Sequence, residues 1–238
     1  MKDLIVIILS ELSRYLESLV GLLSGPKTFV PVLYENNDKS LVPSFTFLGI
    51  SYILYSLLFS SFLPAGVDFL QRTASHAIFL LVASLVNVGV LQISWRIVGG
   101  RSCFNKQLII FLYYGSVRLL IIGTCIILAL GVVKSLYPEL FEPMKITIMS
   151  GSSKKDALLE YINGVSNAGN LASRVILTGI SFLPLAADWI WIYIGWGAYR
   201  ELNLASKHAS AIDFIAFFVL SFASLPLFYF IIHALGSS

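Results

Sequence analysis

The chain has 238 residues, of which 57% are hydrophobic and 12% charged, with a formal net charge of +3 and a mean hydropathy of +0.85. A soluble domain carries about 25% charged residues, so half that share cannot cover a globular surface and the apolar excess has to face lipid. This excludes a soluble globular protein. A net charge this small, with the lysines and arginines set beside apolar runs, also gives no basis for nucleic acid as a partner.

Residues 1–25 come first. The apolar core Leu4–Leu9 is too short for a secretory h-region, and Glu11, Arg14 and Glu17 follow at once. At helical spacing Leu4, Ile8, Leu12, Tyr15, Leu19 and Leu22 share one face, and Asp3, Ser10, Arg14, Glu17 and Ser24 the other. The pattern predicts an amphipathic helix stopped by Gly25-Pro26. It either lies in the plane of the membrane interface or packs on its own protein.

Residues 26–238 read as one membrane domain. Hydropathy marks five stretches near the roughly 20 residues that a bilayer core requires, at about 42–63, 74–93, 107–133, 171–198 and 212–235. The second contains Asn87 and Gln92. Between the second and third lies "VGGRSCFNKQ", where Gly99 and Gly100 allow a tight reversal and Arg101 and Lys106 hold it on the cytoplasmic side. No phosphate-binding G-x-x-x-x-G-K-[ST] pattern is present there.

The third span contains Arg118 and the fourth Asp188. Counted from the same side of antiparallel helices, the two fall at similar depth. An ionised group there costs about 3 kcal/mol or more when unpaired, so an Arg118–Asp188 pair is expected, with Asn87 and Gln92 as supporting polar groups. Such a pair serves as glue between helices or as part of an ion or proton path, and a single acid and base at depth favour glue. The fourth span ends in an aromatic belt, Trp189, Trp191, Tyr193, Trp196 and Tyr199, with the small residues Gly195, Gly197 and Ala198 open to a neighbouring helix. Pro184 and Pro226 interrupt the last two spans, as in discontinuous transporter helices.

Orientation follows the basic residues of short loops. Lys2, Arg14, Lys27 and Lys39, then Arg96, Arg101 and Lys106, then Arg200 and Lys207 fall on one side, against Arg72 on the other. The N-terminus is therefore expected in the cytoplasm and the C-terminus outside. Lys134, Lys145, Lys154 and Lys155 of the long third connection then lie outside, mixed with Glu139, Glu142, Asp156 and Glu160.

Catalytic signals are weak. Cys103 and Cys125 lie in no metal-binding spacing, and His76, His208 and His233 are scattered without an H-E-x-x-H pattern. "GISF" and "GVSN" lack the G-x-S-x-G elbow. No enzyme activity, cofactor or metal is expected.

The order of "TFVPVLYENN", "LVPSFTFLGISYILYSLLF", "WRIVGGRSCFNKQLIIFLYYGSV" and "YRELNLASKHASAIDFIAFFVLSF" resembles bacterial members of the Yip family, five-span relatives of the eukaryotic proteins that bind Rab GTPases. "YYGSV" stands where that family has Tyr-Gly-Tyr-Ser, and no clear Asp-Leu-x-Gly-Pro occurs. The resemblance implies the five-span all-α architecture, an inner-membrane location and a partner-binding habit, and it carries over no catalytic residue. The expected function is that of a non-enzymatic scaffold or assembly subunit. Its partners would be the lipid bilayer and a membrane protein or further copies of itself. The alternative is a transporter or permease component using Arg118 and Asp188.

Overall fold

The structure, a computed structural model, describes residues 2–29, 41–60, 69–150, 155–167 and 170–236. Lys39, Lys154 and residues 61–63 of the first expected span lie outside them, as do the side chains of Lys2, Asp3, Leu4, Ile8, Arg72, Lys155 and His233.

The described residues are almost entirely helical, with no strand among them. In chain order these are α1 (Lys2–Ser24), α2 (Val42–Ser60), α3 (Phe69–Ile97), α4 (Phe104–Leu136), α5 (Pro138–Ser150), α6 (Lys155–Asn167), α7 (Leu171–Leu202) and α8 (Lys207–Gly236). Five of them, α2, α3, α4, α7 and α8, are long and apolar enough to cross a membrane. Their apolar side chains point outward in quantity: Ile53, Ile78, Leu128, Ile190 and Ile215 are each more than half exposed. Such a surface is stable only in lipid. Most of these helices run past the stretches marked by hydropathy, because a helix continues through the polar headgroup layer while the apolar run stops at the hydrocarbon edge.

The helices gather into two compact units. One holds Met1–Ile53, Asp68–Val117 and Ile192–Ser238, and the other Leu54–Val67 and Arg118–Trp191.

In the first unit α1 is docked by an aromatic stack. Tyr15 lies on Phe47 and Phe47 on Tyr113, both at 4.7 Å between ring centroids, and the Tyr15 hydroxyl meets the Ser51 hydroxyl at 3.1 Å. Burial pushes the Tyr15 phenol above its ordinary value of 10.0, against the opposing effect of the Ser51 hydrogen bond. Tyr15 and Leu22 are buried, whereas Leu12, Leu16, Val20 and Leu23 are exposed. One stripe of the helix therefore packs on the protein, and an adjoining apolar stripe is left exposed.

The chain after Gly25 is tied down too. The Tyr114 hydroxyl donates to the Pro26 carbonyl at 2.7 Å. Gly195 makes room for the Tyr114 ring and Gly197 for the Lys27 side chain. The small residues expected to admit a neighbouring helix thus accept side chains of the chain itself.

The second unit surrounds Ala129, Leu130, Val133, Leu140, Met144, Tyr161 and Leu177. The long third connection is not an open loop: α5 and α6 pack on each other and supply Leu140, Met144 and Tyr161 to this core. Tyr161 reaches α7, its hydroxyl 2.7 Å from that of Ser181. Lys145 pairs with Glu142 at 3.3 Å, and Lys134 and Lys145 both lie over the Phe141 ring.

Pro184 and Pro226 lie inside α7 and α8, and neither ends its helix. The expectation of interrupted spans is corrected: each proline removes one backbone donor, and a long helix held by its other turns runs on past that single gap.

Candidate functional site

Two polar constellations stand out, one in each unit. The first is built on the connection between α3 and α4. Helix α3 closes with paired backbone bonds, from Gly99 N–H to the Arg96 carbonyl at 3.2 Å and from Gly100 N–H to the Trp95 carbonyl at 2.7 Å. This is the Schellman arrangement, which places Gly99 at the left-handed position, where its φ is +86°. Gly100 is present for a different reason. A Cβ there would meet Asn203 Oδ1 at 2.7 Å and the Trp95 carbonyl oxygen at 2.9 Å. Only one of the two glycines serves the backbone angle, which corrects the expectation that both do.

Asn203 comes from the connection between α7 and α8, about a hundred residues away in the chain. Its Oδ1 accepts from the Ser102 hydroxyl at 2.6 Å and from the Ser102 N–H at 3.3 Å, while its amide donates to the Tyr199 carbonyl at 2.9 Å. Gln107 Nε2 donates to the Ser102 hydroxyl at 2.6 Å, and Gln92 Nε2 to the Ser102 carbonyl at 3.1 Å. Ser102, Gln107 and Asn203 are all buried. A buried polar network of this kind fixes a single arrangement of the segments it joins.

Asn203 is the last residue before the left-handed position of a second Schellman cap. Leu204 N–H donates to the Glu201 carbonyl at 3.1 Å and Ala205 N–H to the Arg200 carbonyl at 3.0 Å. The left-handed position, usually glycine, holds Leu204 at φ +51°. Its side chain is 80% exposed. A leucine in that conformation costs roughly 1–2 kcal/mol, and here it recovers little by burial. The two segments that the Asn203 lock joins carry exposed Arg101, Phe104, Lys106 and Lys207.

The second constellation is the Arg118–Asp188 pair. Arg118 lies fourteen residues after the start of α4 and Asp188 fourteen before the end of α7, about 21 Å along each helix. The structure brings them together in a two-pronged contact: Arg118 Nε donates to Asp188 Oδ1, and Nη2 to Oδ2 at 2.8 Å. The Arg118 side chain is 45% exposed and that of Asp188 15%.

Asn87 and Gln92, expected as supporting polar groups, belong to the first unit, whereas the pair belongs to the second. Asn87 donates to the Ala83 carbonyl of its own helix at 2.8 Å, and Gln92 serves the turn instead. An amide on a helix finds the free lone pair of a carbonyl one turn back more readily than a distant charge. The aromatic belt divides by face: Trp189 and Tyr193 are exposed, whereas Trp191 and Tyr199 are buried. Trp196 packs among Trp95, Tyr199, Phe214 and Phe217.

Ser102, Gln107 and Asn203 are not among the site residues expected from the sequence. The "YRELNLAS" stretch signals a helix end through its asparagine, but not that the asparagine side chain reaches Ser102.

The chemistry open to these sites is limited. The amides of Gly99, Gly100 and Ser102 are all consumed within the protein. Among the described residues no three His, Cys, Asp or Glu side chains gather as metal ligands. Five apolar helices carrying an internal ion pair and a locked polar turn define an all-α, multi-pass membrane protein. Compared with family models, with curated proteins and with solved structures, the chain matches none.

Proposed function

We propose that this is a non-enzymatic membrane protein that works by holding a membrane-protein partner, as a scaffold or assembly subunit. The observation that carries the reading is the Asn203 lock. It fixes the α3–α4 turn, which carries exposed basic Arg101 and Lys106, to the α7–α8 connection, which carries the strained, exposed Leu204 and is followed by basic Lys207. Backbone strain kept at an exposed apolar side chain points to use of that side chain, and an apolar anchor inside a basic rim suits a partner with an acidic, membrane-proximal face. The basic residues also favour the cytoplasm for this face, with the C-terminus outside, in an inner membrane. The resemblance to the Yip family supports the reading by analogy.

Replacing Arg101 and Lys106 together by glutamine is expected to lower co-purification of the partner from mild detergent by about tenfold. That corresponds to roughly 1.4 kcal/mol. The helical circular dichroism of the chain should not change. Undiminished co-purification removes this surface from the function.

A second reading has its own observation. Arg118 is half open at mid-span while its partner is nearly closed off, an arrangement that fits a charge exchanged during transport. If the purified chain alone moves an ion or solute across liposomes, and Asp188→Asn abolishes the movement, that reading replaces the first.

A further inference from the structure

Asp213 lies six residues into α8, about 9 Å from its start, and is completely buried. Neither carboxyl oxygen has a hydrogen-bond partner among the described residues. The polar group beside it is the Ser94 hydroxyl of α3, also fully buried, which donates to the Leu91 carbonyl at 2.9 Å. The single hydroxyl proton of Ser94 can serve either the Leu91 carbonyl or the carboxyl, not both. At least one carboxyl oxygen is then left without a donor.

The surroundings supply no positive charge. Next to Ser94 is Trp95, fully buried, whose ring stacks on Trp196 at 6.1 Å. Trp196 meets Phe214, the neighbour of Asp213, edge-on at 5.0 Å, and donates to the Ser210 carbonyl at 3.2 Å. These walls are aromatic. On α3 the nearby cation is Arg96, which is exposed and directed to the Ser102 carbonyl. In the last turn of α7 the charged groups are Arg200 and Glu201, and in the first turn of α8 they are Lys207 and His208, both exposed. None of the ion pairs among the described residues includes Asp213. A bare carboxylate so enclosed is strongly unfavourable, and unpaired groups of this kind call for an ion, a proton or ordered water.

We propose that the Asp213 carboxyl, with the Ser94 hydroxyl, is a binding site for a small monovalent cation, either a proton or an alkali ion. The site lies in the first unit and is independent of both the Arg118–Asp188 pair and the partner surface around Leu204. It gives the interface between α3 and α8 a charge that can be added or removed.

Infrared difference spectra of the full chain in phosphatidylcholine liposomes, wild type minus Asp213→Asn, test the assignment in choline chloride and then in sodium chloride. A protonated-carboxyl C=O band that is lost in Asp213→Asn and does not respond to sodium identifies the cation as a proton. A carboxylate band that shifts on adding sodium and is likewise lost in the variant identifies an alkali ion. A carboxylate band that ignores sodium and titrates like an aspartate in water overturns the proposal. If Asp213→Asn does not fold, Ser94→Ala keeps the carboxyl and is expected to shift the same band; an unshifted band then counts against the site.

Discussion

Gly99 and Leu204 occupy the same position of the same helix-ending motif, yet one is the residue the motif favours and the other is not. A Cβ added at Gly99 would meet nothing within 4 Å, so Gly99→Ala isolates the backbone cost of a positive φ and is expected to lose about 1 kcal/mol. Leu204→Gly relieves the opposite mismatch and is expected to raise stability by roughly 0.5–1 kcal/mol. Under the proposed function it also weakens partner binding, so stability and binding move in opposite directions. Thermal unfolding in detergent measures the first effect and co-purification the second. A Leu204→Gly protein that melts lower would show that the leucine supports the fold. Nothing in the letters "NLA" announces a left-handed leucine; the hydrogen bonds of α7 decide it.

At the scale of helices, the Arg118–Asp188 contact joins α4 to α7 near mid-span. Removing either charge leaves the other in a poorly solvated place, and the loss falls harder on the more enclosed Asp188. Arg118→Leu and Asp188→Leu are each expected to lower the yield of folded protein. The exchanged pair Arg118→Asp with Asp188→Arg should recover part of it, read as a coupling energy of about 1 kcal/mol in a double-mutant cycle. Independent, additive losses would leave the contact without energetic weight. The depth of both residues was legible from hydropathy and helix rise, because these depend on the local chain alone. The helices α5 and α6 were less legible. Their apolar residues, among them Leu140, Met144 and Tyr161, are interspersed with charges and make sense only against the core they complete.

For the whole molecule, orientation is the testable consequence of its charges. A reporter fused after Ser238 is expected to read as external and one placed in residues 99–105 as cytoplasmic. A cytoplasmic signal from the C-terminal fusion reverses the assignment and moves the Leu204 surface to the other side. The exposed apolar stripe of α1, with Leu12, Leu16, Val20 and Leu23, belongs to the same picture. An element docked through Tyr15 can still rest against the headgroups along its neighbouring face.

Composition alone determined that this chain lives in a membrane and crosses it as helices, because lipid accepts no unpaired backbone and water accepts no such surplus of apolar surface. Helical periodicity determined the amphipathic start, and the placing of charges within the spans marked Arg118 and Asp188. Tertiary structure decided which polar groups meet. Gln92 turns to Ser102, Asn203 reaches across about a hundred residues, and Asp213, near the start of an apolar run, proves to be enclosed. Local sequence sets which face of a helix a side chain occupies. The partner on that face is chosen by packing between segments far apart in the chain, and no periodicity within one segment encodes it.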